Sequence, residues 1–184
     1  LVGSEMCIRD RVNDLLVLTR ADSEALNLRR EPLDLAELAR VTVERLCPQP
    51  VARDVTVRIE TASNAPLAWA DRDRVAQVLL NVLDNALKYS HPGGTVVVRI
   101  GMQGELALVQ VCDEGVGIPA EHLPRIGERF YRADKARSRG QDRERGSGLG
   151  LAIAHAFVIA HGGTLWLESA EGVGTTVSFT LPAA

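Results

Sequence analysis

The chain of 184 residues predicts an α+β two-layer sandwich: a mixed, mostly antiparallel sheet covered on one face by helices, with one long irregular loop. Three observations lead there. Short apolar runs of period two recur at residues 55–59, 95–102, 105–112 and 175–181, the pattern of half-buried strands. Interleaved with them are residues 73–90 and 149–160, whose apolar positions recur at helical spacing. A hydrophobic share of 46% against 24% charged residues supplies the core of one domain this size, plus a short appendage.

Residues 1–11, LVGSEMCIRDR, share no pattern with the rest. They resemble the translated adapter of a transposase-based sequencing library and are set aside as foreign sequence. Residues 12–33 follow as a helix tail striped by Leu15, Leu16 and Leu18, then a linker of mixed charge containing Pro32. The domain proper is expected over residues 34–183. Asp34 is placed as an N-cap, with Glu37 at the reciprocal capping-box position, and opens a helix to about Leu46. Pro48 and Pro50 mark a turn. Val55, Val57 and Ile59 alternate with polar residues as a strand, and residues 67–70 are a short second strand. That strand leads into helix 73–90, which HPGG at 91–94 stops. Strands 95–102 and 105–112 meet at Gln103 and Gly104 in a tight hairpin. Residues 115–147 carry many charges, several glycines and little periodicity, and read as a long mobile loop. Helix 149–160 ends at Gly162 and Gly163, and residues 164–169 and 175–181 close the chain as a hairpin.

Composition removes some functions. A net charge of −3, with only two Trp, two Tyr and three Phe, argues against a nucleic-acid partner. No apolar run reaches membrane-spanning length, so no membrane contact is expected of this segment. Three Cys at unrelated spacings form neither a zinc pattern nor a disulfide framework, which fits a reducing, cytoplasmic setting. Cys112 lies in an apolar run and reads as core.

Chemistry-bearing residues gather on helix 73–90. Its apolar face, Val75, Val78, Leu79, Val82, Leu83, Ala86 and Leu87, stands opposite Gln77, Asn81, Asp84 and Lys88, with Asn85 at the edge of that stripe. Such a stripe is either a solvated face or a set of groups that converge on one ligand. An amide oxygen is a hard neutral ligand suited to Mg²⁺, and an ammonium suits phosphate. Asp113 ends an apolar strand on the face of Val109 and Val111. Its carboxylate suits an exocyclic amine, though it equally fits an ordinary turn aspartate ahead of Gly115. Gly115 and Gly117 let backbone approach a ligand closely. Gly146, Gly148 and Gly150 flank Leu149 at a helix start, where free amides and the helix dipole make an anion site. Glycine-rich turns also precede helices for steric reasons alone. Arg129, Arg132, Lys135, Arg137, Arg139, Arg143 and Arg145 make the long loop basic.

In order along the chain, helix 73–90, DEGVGIP at 113–119, ERFYR at 128–132, GSGLGLAI at 146–153 and GVGTT at 172–176 closely resemble the nucleotide-binding boxes of bacterial sensor histidine kinases. The wider superfamily holds gyrase, heat-shock chaperones and mismatch-repair ATPases. The resemblance covers about residues 12–182 and implies ATP with Mg²⁺ as ligands. It assigns Asn85 to the metal, Asn81 and Lys88 to the phosphates, Tyr89 to the surroundings of the base, and Asp113 to the adenine amino group. Gly115, Gly117, Gly146, Gly148, Leu149, Gly150 and Thr176 complete the implied site, and residues 115–147 become an ATP lid. The implied reaction transfers the γ-phosphoryl group to a histidine on a dimerisation helix. Relay to a response-regulator receiver domain and a homodimer through those helices follow from the same resemblance.

The sequence departs from the pattern at two places. Glu114 stands where the family most often has Asn, and Gly127 gives IGERFYR where IFERFYR is expected, which removes an apolar anchor from the lid. None of the four histidines, His91, His122, His155 and His161, sits beside an acidic residue on a dimerisation helix, so the phosphoacceptor is expected upstream. The rival readings are an ATP-gated clamp of the gyrase or mismatch-repair type and a non-catalytic nucleotide-sensing module. ERFYR, together with residues 12–21, which resemble the tail of the second helix of a histidine kinase dimerisation domain, favours the kinase over the clamp.

Overall fold

The computed structural model describes residues 26–46, 54–133 and 148–184. The foreign segment 1–11, the helix tail at 12–21, the start of the linker up to residue 25, the turn at 47–53 and loop residues 134–147, Gly146 among them, lie outside the described residues. In chain order the elements are β1 (Glu31–Leu33), α1 (Leu35–Leu46), β2 (Thr56–Thr61), β3 (Ala68–Ala70), α2 (Arg72–Tyr89), β4 (Thr95–Gln103) and β5 (Leu106–Asp113). After them come α3 (Gly150–Ala160), β6 (Leu165–Ala170) and β7 (Gly174–Pro182). The main sheet has five strands in the order β2-β4-β5-β7-β6. Among the described residues only the β2–β4 pair is parallel. A parallel pair needs a crossover, and here the crossover carries β3 and α2.

Local chemistry starts both leading helices. Asp34 Oδ1 accepts the amides of Ala36 and Glu37 at 2.9 and 3.1 Å, while the Glu37 carboxylate pairs with Arg40. Asp71 Oδ1 accepts the amides of Asp73 and Arg74, both at 3.1 Å, and so caps α2. The apolar face of α2, from Val75 to Leu87, is no more than 5% exposed at any of its seven positions. It packs with Ile153, Phe157 and Val158 of α3 against Val96, Val98, Val109, Val111, Val177 and Phe179 of the sheet. Each fully buried aliphatic side chain stabilises the fold by about 1.5–3 kcal/mol. This face anchors α2 and leaves its polar stripe turned outward.

Several expectations are corrected. Residues 31–33 are not linker: β1 pairs antiparallel with β3, and Leu33 is buried. The short apolar strand therefore belongs to a separate two-stranded sheet rather than to the main one. Cys112 is not core. It lies on the sheet face away from Val111, half-buried, with the Arg99 guanidinium 3.5 Å from Sγ. The reading of 115–147 as loop holds for 115–133, which form no strand or α-helix and carry a 3₁₀ turn at Leu123–Arg125.

One buried polar node joins the first described residues to the start of α2 and the end of α3. His161, 1% exposed, accepts the Asp71 amide on Nε2 at 2.9 Å. Its Nδ1 must then carry the proton, which it donates to the Phe157 carbonyl at 2.7 Å. Asp71 Oδ2 accepts the Arg29 amide at 2.8 Å, and the Arg30 guanidinium donates to the Ala160 carbonyl at 2.8 Å. Burial holds the His161 imidazolium form down, lowering its pKa despite the Phe157 carbonyl. At Asp71 burial pushes the carboxyl up, but the amides of Arg29, Arg74 and Asp73 and the Arg74 charge outweigh it, and the pKa is lowered.

Candidate functional site

A cavity of about 280 Å³ opens along the polar stripe of α2. One wall is that helix, through Asn81, Asp84, Asn85, Lys88 and Tyr89. The floor is the end of β5 and the start of β7, through Asp113, Thr175 and Val177, with Leu167 of β6 beside them. Gly148 and Gly150 close one end, and Ile118, Ile126, Tyr131 and Arg132 form the rim. The cavity is therefore apolar at Leu167, Val177, Ile118 and Ile126, and polar along the helix and at Asp113 and Thr175.

Each polar group has a defined setting. Asp113 Oδ1 accepts the amides of Gly115 at 2.9 Å and Thr175 at 3.3 Å. Burial raises the carboxyl pKa from its ordinary value, and those two amides pull it back only in part. The Lys88 ammonium lies 5.0 Å from the centroid of the Tyr89 ring, so the cation and the aromatic face occupy one wall. Asn81 bridges two helices: it accepts from Gln77 Nε2 at 3.1 Å and donates to the Gly150 carbonyl at 2.9 Å. Its amide thereby fixes the start of α3 against α2. Asn85, one turn further along, lines the cavity, and no hydrogen bond to a described residue engages its amide.

Residues 70–184 match the family described as Histidine kinase-, DNA gyrase B-, and HSP90-like ATPase. The chain belongs to that family. Among relatives, the Sensor histidine kinase WalK of Bacillus subtilis (strain 168) is 41% identical over 177 residues, which cover 93% of this chain and 28% of WalK. The Sensor protein kinase WalK of Staphylococcus aureus is 36% identical over 174 residues, 93% of this chain and 40% of that protein. The chain thus spans between a quarter and two-fifths of the length of these relatives. Among solved structures, full-length ShkA in complex with AMPPNP superposes with a TM-score of 0.84 at 29% identity, over 99% of this chain and 37% of that one. The mycobacterial sensor histidine kinase MprB superposes with a TM-score of 0.70 at 32% identity, over 84% of this chain and 97% of that one. These relatives place the chain among sensor histidine kinases, as their ATP-binding domain.

Within this ATPase fold, the expected site residues divide. Asn81, Asn85, Lys88, Tyr89, Asp113, Gly117, Gly148 and Gly150 all line the cavity. Gly115 does not, and its demand is structural. A Cβ there would lie 2.1 Å from the Tyr89 carbonyl, because Gly115 bridges to Ser90 where β5 leaves the sheet. Gly117, at φ +65°, is similarly pressed by backbone, with a Cβ 1.9 Å from the Ala170 carbonyl. The close approach predicted for these glycines is thus an approach to the chain's own carbonyls. Leu149 is 1% exposed and plugs the core beneath the helix start rather than facing the cavity.

Thr176 is placed on the opposite sheet face. It pairs with Cys112, while its neighbour Thr175 pairs with Asp113 and lines the cavity. The period-two alternation of β7, which puts Thr175 with Val177 and Phe179, was the available signal. Asp84 sits farther round the stripe yet still reaches the cavity edge. Although its side chain is exposed, the surrounding wall pushes its carboxyl pKa up against the opposing pull of Lys88. Leu167 and Val177 are cavity residues outside every motif, and Ile118 and Ile126 lie within motifs without having been singled out, since an apolar lining looks like any other core position in sequence.

Proposed function

We propose that the chain is the kinase domain of a two-component sensor protein, and that it transfers the γ-phosphoryl group of ATP to a histidine of a dimerisation helix. The observation that carries this reading is one cavity with Asp113 on its sheet floor and Asn81, Asn85 and Lys88 along its helical wall. A purine fits the apolar end, with Asp113 accepting from its exocyclic amine beside Thr175. The phosphates then run along α2 toward Gly148 and Gly150, where the amides at the start of α3 favour anions.

Asn85 fits a Mg²⁺ ligand: its neutral oxygen donor lines the cavity beside Lys88, and no described residue competes for it. When bound, Mg²⁺ would neutralise phosphate charge. The chain's own residues then orient the nucleotide, hold a cation near the phosphates through Lys88, and supply no covalent nucleophile. Catalysis in such a site is positioning and electrostatics. A response-regulator receiver domain as the next acceptor, a homodimer through the dimerisation helices, and a cytoplasmic location belong to the same proposal. Among the described residues no helix is long and apolar enough to cross a membrane.

Calorimetry tests the site. ATP is expected to bind this chain in a Mg²⁺-dependent manner, and Asn85→Ala is expected to abolish the Mg²⁺ dependence while leaving residual metal-free binding. Binding unaltered by metal in the wild type would refute the Asn85 assignment. A chain extended to include the dimerisation helices should form acid-labile phosphohistidine from labelled ATP. ATP binding without any such labelling would favour the nucleotide-sensing module instead.

A further inference from the structure

His122 has no part in the site as read from the motifs, yet it touches the cavity's rim through one residue. Its Nδ1 lies 2.7 Å from the hydroxyl of Tyr131, which lines the cavity. The two rings stand 6.1 Å apart and tilted by 54°, so the contact is a hydrogen bond rather than a stack. Arg125 covers the same tyrosine, its guanidinium 4.3 Å from the ring centroid, and is itself held by Glu128 at 3.1 Å. On the backbone side, Phe130 donates its amide to the Gly148 carbonyl at 3.0 Å. Gly148, at φ +70°, has no room for a Cβ, which would sit 3.0 Å from the Tyr131 carbonyl.

Phe130 adopts φ +64°, the one positive value at a non-glycine among the described residues. Such a conformation persists only where its surroundings over-determine it. Here it leaves the Phe130 ring 54% exposed, while the next residue, Tyr131, reaches the cavity. Tyr131 is therefore set from three directions: a backbone clasp to Gly148 through its neighbour Phe130, a cation on its ring, and a hydrogen bond at its hydroxyl.

We propose that His122 is a positioning residue for the nucleotide site, accepting the Tyr131 hydroxyl on Nδ1 and so holding that ring as the cavity's rim. The neutral ring then carries its proton on Nε2, which faces Glu121 Oε1 at 3.6 Å. Glu121 is largely exposed and serves to favour that tautomer rather than to bind ligand. The inference rests on the reading of the cavity as the ATP site.

A double-mutant cycle with Mg²⁺-ATP tests it on the whole chain, using His122→Phe, Tyr131→Phe and both together, each read by calorimetry. Each single variant is expected to weaken ATP about three- to tenfold, the size of one hydrogen bond, and the double variant to lose no more than the weaker single one. His122→Gln, which keeps an acceptor oxygen, is expected to recover part of the affinity. Thermal midpoints without nucleotide should stay within about 2 °C of wild type for Tyr131→Phe. Nitrogen NMR should find His122 protonated on Nε2 in the wild type, and in Tyr131→Phe the Nδ1 signal should shift as its hydroxyl donor is lost while Glu121 keeps the proton on Nε2. Wild-type affinity in both single variants, additive losses in the double, or an Nδ1-protonated His122 would each overturn the proposal. Should His122→Phe unfold, Tyr131→Phe, which removes one oxygen atom, carries the comparison alone. A wild-type chain that binds no ATP would instead remove the site reading on which the proposal stands.

Discussion

Asp113→Asn is expected to separate ligand binding from folding. The carboxylate is anchored through Oδ1, which accepts the Gly115 and Thr175 amides at 2.9 and 3.3 Å. In the variant the side-chain carbonyl inherits those two donors, and the NH₂ group turns into the cavity. It then faces a purine's exocyclic amine, donor against donor. The loss is one charge-assisted hydrogen bond, about 1.5–3 kcal/mol, or about 10- to 150-fold in Kd. Folding responds in the other direction. Burial raises the Asp113 pKa, so this group's contribution to stability is present below its unfolded-state pKa and is lost as pH rises through the folded one. At neutral pH the buried charge therefore opposes folding, and removing it should leave the nucleotide-free midpoint unchanged or higher. Isothermal calorimetry with Mg²⁺-ATP and scanning calorimetry without it measure the two halves. Unaltered ATP affinity would refute the adenine contact, and a nucleotide-free midpoint several degrees lower would refute the account of the buried charge.

Two further outcomes follow from the geometry. Gly127 is exposed and a Cβ there meets nothing within 4 Å, so Gly127→Phe should fold and gain about 0.4–1 kcal/mol from a less flexible unfolded chain. It should also slow hydrogen exchange in residues 128–132, and unchanged or faster exchange there would sink the idea of a missing anchor. His161→Leu strands the buried Asp71 amide, which should lower stability by about 1–3 kcal/mol and the midpoint by about 2–10 °C at neutral pH. Since the His161 pKa is lowered on folding, its contribution is present above the unfolded value near 6.5 and is lost as pH falls below it. The gap between wild type and variant should therefore narrow from about pH 7 to pH 5; a gap independent of pH would rule out a neutral buried imidazole.

Where periodicity was strong, sequence and structure agree closely. The apolar positions of residues 73–90 are the buried face of α2, and the alternating runs are β2, β4, β5 and β7 to within a residue or two. What the pattern did not reach was pairing at a distance. Residues 31–33 offer three positions, too few for a period, and only their partner β3, more than thirty residues on, makes them a strand. The His161–Asp71–Arg29 node has the same character. Its hydrogen bonds join residues 90 and 42 positions apart, and a lone histidine after a helix looks the same in sequence whether exposed or buried. Composition misled at Cys112, because a strand of mostly apolar residues still turns every second one away from the helices.

The site shows the limit of motif matching in a sharper form. A motif fixes where a residue stands along the chain, but a strand's pleat decides which side of the sheet it faces, and a slip of one position reverses the answer. GVGTT contains both Thr175 and Thr176, and only the register with Asp113 and Cys112 separates cavity from outer face. The glycines show a related limit. A ligand pressed against Gly115 and the Tyr89 carbonyl pressed against it would select the same residue, since both exclude a Cβ. In this fold the selecting atom at Gly115 is the last-turn carbonyl of α2, and at Gly117 it is the end of β6. Those contacts lock the loop after β5 between β6 and the helix that carries Asn81, Asn85 and Lys88. The glycines thereby set the distance between Asp113 and the polar stripe, and they shape the nucleotide site through backbone spacing even where they do not line it.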